Sequence, residues 1–370
     1  MLTKRVQLRL SIFSSIYAVI ILLTLSAATF TYAQVKPSKS KAEHIEVEAF
    51  SLPKQSKYFS QATINGLAQQ DALMQKARAK CNPYTKTSAQ DIRTCEAQMY
   101  SVIMPKALAR FEVDITPLMI DGVQTDVVVP KNGISANNQH RVLINLHGGG
   151  FKYGGRFGGQ LESMPIASQA GIKVIAIDYK KAPDYRFPAA NKDVETVYRH
   201  LLKTYPAENI GIFGCSAGSR VTGQAIVWLH KQDLPSPGAA AFLCSAPTAL
   251  NGDSNYYAAA LQQRKPLQIS DVEYWEGLDS NNKDAFPGDF SDALTVFPPA
   301  LMITSTRDYS LSPMVAMHAK LIALNKAAQL HVFEGFTHAQ FMSMYVPESV
   351  QTTTIMQRFF EQHLGSQARE

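Results

Sequence analysis

Residues 210–220 read Ile210, Gly211, Ile212, Phe213, Gly214, Cys215, Ser216, Ala217, Gly218, Ser219, Arg220, and this stretch decides the fold. The apolar run Ile210, Ile212, Phe213 predicts a buried strand. Beyond the turn, Val221, Ala225, Trp228 and Leu229 fall on one helical face. Between strand and helix stands Gly214-x-Ser216-x-Gly218, a pattern that lifts one serine hydroxyl above the edge of a sheet. The turn brings the positions two before and two after the serine together, where a side chain would collide, so both are glycine. Ser216 is the candidate nucleophile.

Outward from this turn, strands are predicted at 111–116, 123–129, 141–146, 172–177, 210–213, 239–243, 300–304 and 330–333. Helical patterns near 161–169, 189–203, 217–230, 313–325 and 348–363 alternate with them. Such alternation predicts an α/β fold, a mostly parallel eight-stranded sheet with helices on both faces. Asp121 and Gly122 mark a hairpin that adds an antiparallel edge. Two more helices, 61–80 and 89–109, are broken at Asn82, Pro83 and Tyr84, and are expected to form part of a helical cap. The polar segment 251–298, with a short helix at 256–263, interrupts the alternation and reads as a cap insertion over the carboxyl edge of the sheet.

The expected organisation is therefore a leader at 1–33, a linker and helical segment at 34–110, and a catalytic domain at 111–370. Lys4, Arg5 and Arg9 precede a charge-free run from 10 to 35, and Thr31, Tyr32 and Ala33 resemble a signal-peptidase site. The reading is a cleaved signal peptide, with an uncleaved membrane anchor as the alternative, since the run is long enough to span a bilayer. Either way the protein is exported, to the periplasm or the medium, and meets a membrane only if the leader stays. The formal charge of +6 becomes +3 without those three residues, which gives no electrostatic footprint for nucleic acid. The four cysteines suit an exported protein. Cys81 and Cys95 are the best disulfide pair. Cys215 and Cys244, near the ends of neighbouring predicted strands, either pair or remain buried thiols. Neither spacing fits zinc.

His147, Gly148, Gly149, Gly150 and Phe151 follow the third predicted strand, with Gly154, Gly155, Gly158 and Gly159 beyond. A glycine-rich loop exposes backbone N–H groups to either a phosphate or an oxyanion. No Gly-Lys-Ser/Thr follows and Gly-x-Gly-x-x-Gly fits no frame, so the phosphate reading fails. The oxyanion reading assigns donors to Gly148, Gly149 and Gly150, with Ala217 after the nucleophile and His147 supporting the loop. A serine nucleophile needs a base and an orienting carboxylate. Of His230, His318, His331, His338 and His363, only His338 stands in a turn just after a predicted strand at the carboxyl edge. Asp308 follows the seventh strand, Asp178 precedes the serine, and Glu334 sits too close to His338 along the chain. Ser216, Asp308 and His338 are thus the expected triad.

These blocks resemble the hormone-sensitive-lipase-like branch of the α/β-hydrolase carboxylesterases. The resemblance rests on His147 to Phe151, Gly214 to Gly218, Asp308 and His338. It also rests on Asp178, Tyr179, Lys180, Lys181, Ala182, Pro183 and Asp184 with Phe187, Pro188, Ala189 and Ala190. It covers about 111–364 and implies an α/β-hydrolase core under a helical cap, hydrolysis of carboxylic esters without metal or cofactor, and oxyanion donors at Gly149, Gly150 and Ala217. The chain departs from the family at Cys215, where aspartate is usual, at Ser219, and at Tyr309 to Ser312. The expected partner is a small ester of short to medium acyl chain. A serine amidase or peptidase of the same fold, and a non-catalytic binder, are the alternatives.

Overall fold

Serine caps open the first two helices. Ser60 Oγ accepts from the Thr63 N–H at 3.0 Å ahead of α1 (Gln61–Lys80), and Ser88 Oγ from the Asp91 N–H at 3.1 Å ahead of α2 (Ala89–Arg110). The Cys81–Cys95 disulfide joins the pair. The computed structural model describes residues 51–365; the leader read at 1–33 lies outside them. The chain divides after Leu52, and the unit from Pro53 onward carries every element named here.

A hairpin follows, β1 (Val113–Ile120) and β2 (Val123–Pro130), turned by Asp121 and Gly122 at φ 47° and 85°. Then β3 (Val142–Leu146), α3 (Gly155–Ala170), β4 (Lys173–Ile177), α4 (Ala189–Leu201), β5 (Ile210–Cys215), α5 (Ala217–Lys231) and β6 (Ala239–Leu243) alternate. The 251–298 segment holds α6 (Asp253–Leu261) and α7 (Ser291–Leu294). Last come β7 (Ala300–Arg307), α8 (Leu311–Ala323), β8 (Ala328–Thr337) and α9 (Pro347–His363).

The eight strands form one sheet in the order β1-β2-β4-β3-β5-β6-β7-β8. β2 pairs antiparallel with β1 and β4; the remaining pairings are parallel. Every residue of β3, β5 and β6 is buried, as strands covered on both faces require. Val194 of α4, Val221 of α5 and Met317 of α8 share one core, and Met164 of α3 and Phe360 of α9 belong to the other. Leu73 of α1 and Ile103 of α2 join that second core. Both helices therefore pack into the body of the fold, and α2 also reaches the site. No described helix is long and apolar enough to cross a membrane.

β7 and β8 run further than the sequence pattern predicts. Ser305 pairs with Phe333 and Arg307 with Thr337 across a register shift, and their mixed polarity hides the extension from a periodicity reading. The extension has a consequence for chemistry. Asp308 and His338 each follow one residue after the partners Arg307 and Thr337, so they emerge side by side at the carboxyl edge.

Candidate active site

The turn between β5 and α5 holds Ser216 at φ 56°, ψ −117°, a conformation that costs a non-glycine residue free energy and persists only where its surroundings impose it. The Ser216 N–H donates to the Leu243 carbonyl at 2.9 Å. A Cβ on Gly218 would lie 1.7 Å from the Leu146 carbonyl oxygen, and one on Gly214 2.3 Å from the same atom. Only glycines let this turn close against β3. Cys215, beside the serine, is bonded to Cys244 just past β6.

His338 Nε2 is 2.9 Å from Ser216 Oγ, and His338 Nδ1 is 2.9 Å from Asp308 Oδ1. Asp308 is fully buried, and its Oδ1 also accepts from the Ser310 N–H at 2.9 Å. That geometry orients a carboxylate on one imidazole nitrogen and leaves the other for the serine. The alternatives lie elsewhere: His230, His318, His331 and His363 sit on α5, α8, β8 and α9. Glu334 accepts from Thr306 Oγ1 at 2.9 Å, and Asp178 pairs with Lys181.

The glycine loop corrects one assignment. The Gly148 N–H, expected among the oxyanion donors, is engaged: it donates to Glu162 Oε1 at 2.8 Å. The N–H groups of Gly149, Gly150 and Ala217 have no acceptor among the described residues. Gly149 sits at φ 116°, where a Cβ would lie 2.2 Å from the Tyr153 carbonyl oxygen. His147 is buried beneath the loop. Its ring stacks on Tyr179 at 4.4 Å and its Nδ1 is 2.6 Å from the Gly148 carbonyl oxygen, so Nδ1 carries the proton. Burial lowers its pKa to about 4, with Lys181 pushing the same way, and the ring is neutral at pH 7.

Three contributors escaped the sequence reading. Glu162, from α3, holds the loop at Gly148 and accepts from Asn145 Nδ2 at 3.2 Å; burial pushes its carboxyl up to about 7 against those bonds. Tyr309 places its hydroxyl 3.0 Å from His338 Nε2 and stacks on the imidazole at 4.3 Å. It was visible in the sequence only as a departure after the acid. Arg220, in the first turn of α5, is 4% exposed and makes no ion pair among the described residues.

Two cavities meet at Ser216. One, of about 560 Å³, is walled by Tyr84 from the turn between the first two helices, by Glu96 and Tyr100 of α2, and by Arg264. The other, of about 370 Å³, is walled by Arg220, Leu250, Leu267, Val272 and Trp275. Both fall in the range of small-molecule pockets. The 251–298 segment, read as polar, is anchored by buried Tyr274, Trp275 and Phe286, and Tyr274 stacks on Phe151 of the glycine loop at 4.8 Å. A third cavity, about 970 Å³, shares Leu250, Leu267 and Trp275 as a wall but does not reach Ser216. Among the described residues, no cluster of three or more His, Cys, Asp or Glu side chains is placed to hold a metal ion.

Comparison with known proteins bears on the fold and the family. A family model described as alpha/beta hydrolase fold matches residues 143–342. An acetyl-hydrolase of Streptomyces hygroscopicus is 30% identical over 202 residues, covering 52% of this chain and 63% of that protein. The chain thus spans less than two thirds of that relative. A crystal structure of an esterase E25 superposes with TM-score 0.73 at 26% identity, covering 87% of this chain and 99% of that one. An esterase from the bacterial hormone-sensitive lipase family superposes with TM-score 0.69 at 23% identity, covering 81% and 99%, a likeness of fold.

Proposed function

Because the chain belongs to the α/β-hydrolase family, we propose that it is a carboxylesterase of the hormone-sensitive-lipase-like kind, which hydrolyses carboxylic esters through an acyl-enzyme on Ser216. The observation that carries this reading is the unbroken relay Asp308, His338, Ser216, with 2.9 Å at each link, beside three unengaged backbone donors.

His338 Nε2 takes the Ser216 proton as Oγ attacks the ester carbonyl. The tetrahedral oxygen gathers negative charge, which the N–H groups of Gly149, Gly150 and Ala217 stabilise; losing one such donor costs on the order of a hundredfold in rate. The imidazolium returns its proton to the departing alcohol. Water, deprotonated by His338, then attacks the acyl-enzyme and releases the acid and free Ser216. Asp308 keeps Nδ1 protonated and stabilises the imidazolium throughout. The cavity sizes support small esters of short to medium acyl chain. The acetyl-hydrolase relative makes acetyl esters the first to try. Both disulfides support action in an oxidising compartment, as the leader reading expects.

Assay of the protein on p-nitrophenyl acetate through decanoate, beside peptide p-nitroanilides, tests this. The reading expects ester turnover that peaks at a short or medium chain and little anilide cleavage. Faster anilide cleavage would make it an amidase, and no turnover of either would contradict catalysis.

A further inference from the structure

The 370 Å³ cavity beside Ser216 contains more hydrogen-bonding capacity than the protein uses. Arg220 is 4% exposed and Trp275 2% exposed, and both line it. The Arg220 guanidinium donates through Nη1 to the Thr248 carbonyl and stacks over the Trp275 ring at 5.1 Å. Among the described residues its Nη2 has no partner, and neither has Trp275 Nε1. A buried donor left unpaired costs free energy, and a buried cation without a counter-ion costs more. The anions at the cavity wall are spoken for. Glu273 pairs with Lys152 at 2.9 Å and Arg186 at 3.5 Å, and Asp271 accepts from the Gln268 N–H at 2.7 Å. Asp289 and Asp308 act on Arg220 only from beyond ion-pair distance. Burial lowers the guanidinium to about 10, so the group is still charged at neutral pH.

We infer that the ester processed here carries a carboxylate in the part seated against Arg220 and Trp275. This rests on the serine-esterase reading and narrows its substrate class to esters bearing an anionic end, either half-esters of dicarboxylic acids or acyl esters of hydroxy acids. A planar guanidinium suits a carboxylate better than an ammonium does, and the apolar walls at Leu250, Leu267 and Val272 accept the connecting methylenes.

The test compares charged esters with neutral partners of similar length by pH-stat. Monomethyl glutarate against methyl hexanoate places the carboxylate on the acyl side, and acetoxyacetate against propyl acetate places it on the alcohol side. The inference expects at least one charged ester to exceed its neutral partner in kcat/KM by about tenfold or more, the order of a charge-assisted bond. It expects that ratio to collapse in Arg220→Met and to survive in part in Arg220→Lys. Should the variants not fold, inhibition of the wild-type protein decides: glutarate or glycolate must compete with propyl acetate hydrolysis at a tenth or less of the concentration of the neutral hexanamide or propanol, an estimate on the same scale. Neutral esters preferred in both pairs, with no selective inhibition by the anions, would overturn the carboxylate inference and leave ester hydrolysis standing. Turnover of no ester at all would overturn both.

Discussion

Tyr309 Oη lies 3.0 Å from His338 Nε2, the nitrogen that Ser216 Oγ approaches to 2.9 Å. A neutral imidazole protonated on Nδ1 has one lone pair at Nε2, so the two hydroxyls compete for it. The Tyr309 ring also stacks on the imidazole at 4.3 Å, which fixes its plane. Tyr309→Phe keeps the stack and frees the base, so kcat/KM on p-nitrophenyl acetate should hold within about threefold or rise, the scale of one neutral hydrogen bond. Tyr309→Ala removes the stack and lets the ring wander, and kcat should fall by about tenfold or more. Equal losses in both variants would place the role in the hydroxyl instead.

Asp308 is buried and serves His338 through one oxygen. Asp308→Asn keeps the shape but favours the wrong imidazole tautomer. The expected loss in kcat is on the order of ten-thousandfold, with KM little changed. Steady-state kinetics on a chromogenic acetate would show it; a loss under about tenfold would mean that another group orients the base.

Glu162 makes stability depend on pH. Burial holds its carboxyl near 7 against an ordinary 4.5, so the folded protein binds a proton that the unfolded chain releases. The contribution is present in full below about 4.5 and is lost as pH rises through about 7. Glu162→Gln cannot titrate. The melting temperature of the wild type relative to this variant should therefore be higher at pH 5 than at pH 8. A difference that stays flat with pH would refute the raised carboxyl.

The Cys215–Cys244 disulfide closes a loop of 29 residues between the ends of adjacent strands. In the chain-entropy account such a loop stabilises by roughly 3–4 kcal/mol. The double variant Cys215→Ala/Cys244→Ala should melt lower by on the order of 10 °C in calorimetry. Thiol titration of the denatured, unreduced protein should find no free thiol from any of the four cysteines.

The turn at Ser216 was legible because sterics leave so few options: a Cβ at Gly214 or Gly218 would strike the Leu146 carbonyl, and glycine spacing is visible in any sequence. Asp308 and His338 were legible from their places after apolar runs, since parallel strands deliver their ends to one edge. What stayed hidden depends on contacts between distant residues. Nothing local tells that Glu162, two turns into α3, takes the Gly148 N–H and removes it from the oxyanion donors. The irregular turns of 251–298 have no period, so Tyr274, Trp275 and Phe286 read as scattered aromatics in a polar segment, although they anchor the wall of the site. Arg220 reads in the sequence as one more helix residue, and only its surroundings show that no described anion pairs with it.

A fluorophosphonate reaction followed by intact-mass and peptide mass spectrometry tests the central claim most directly. Activation of Ser216 by His338 predicts one adduct per chain, on the peptide containing Ser216, and none in Ser216→Ala, with labelling slowed in His338→Ala. An unlabelled wild-type protein, or an adduct that persists in Ser216→Ala, would contradict the account.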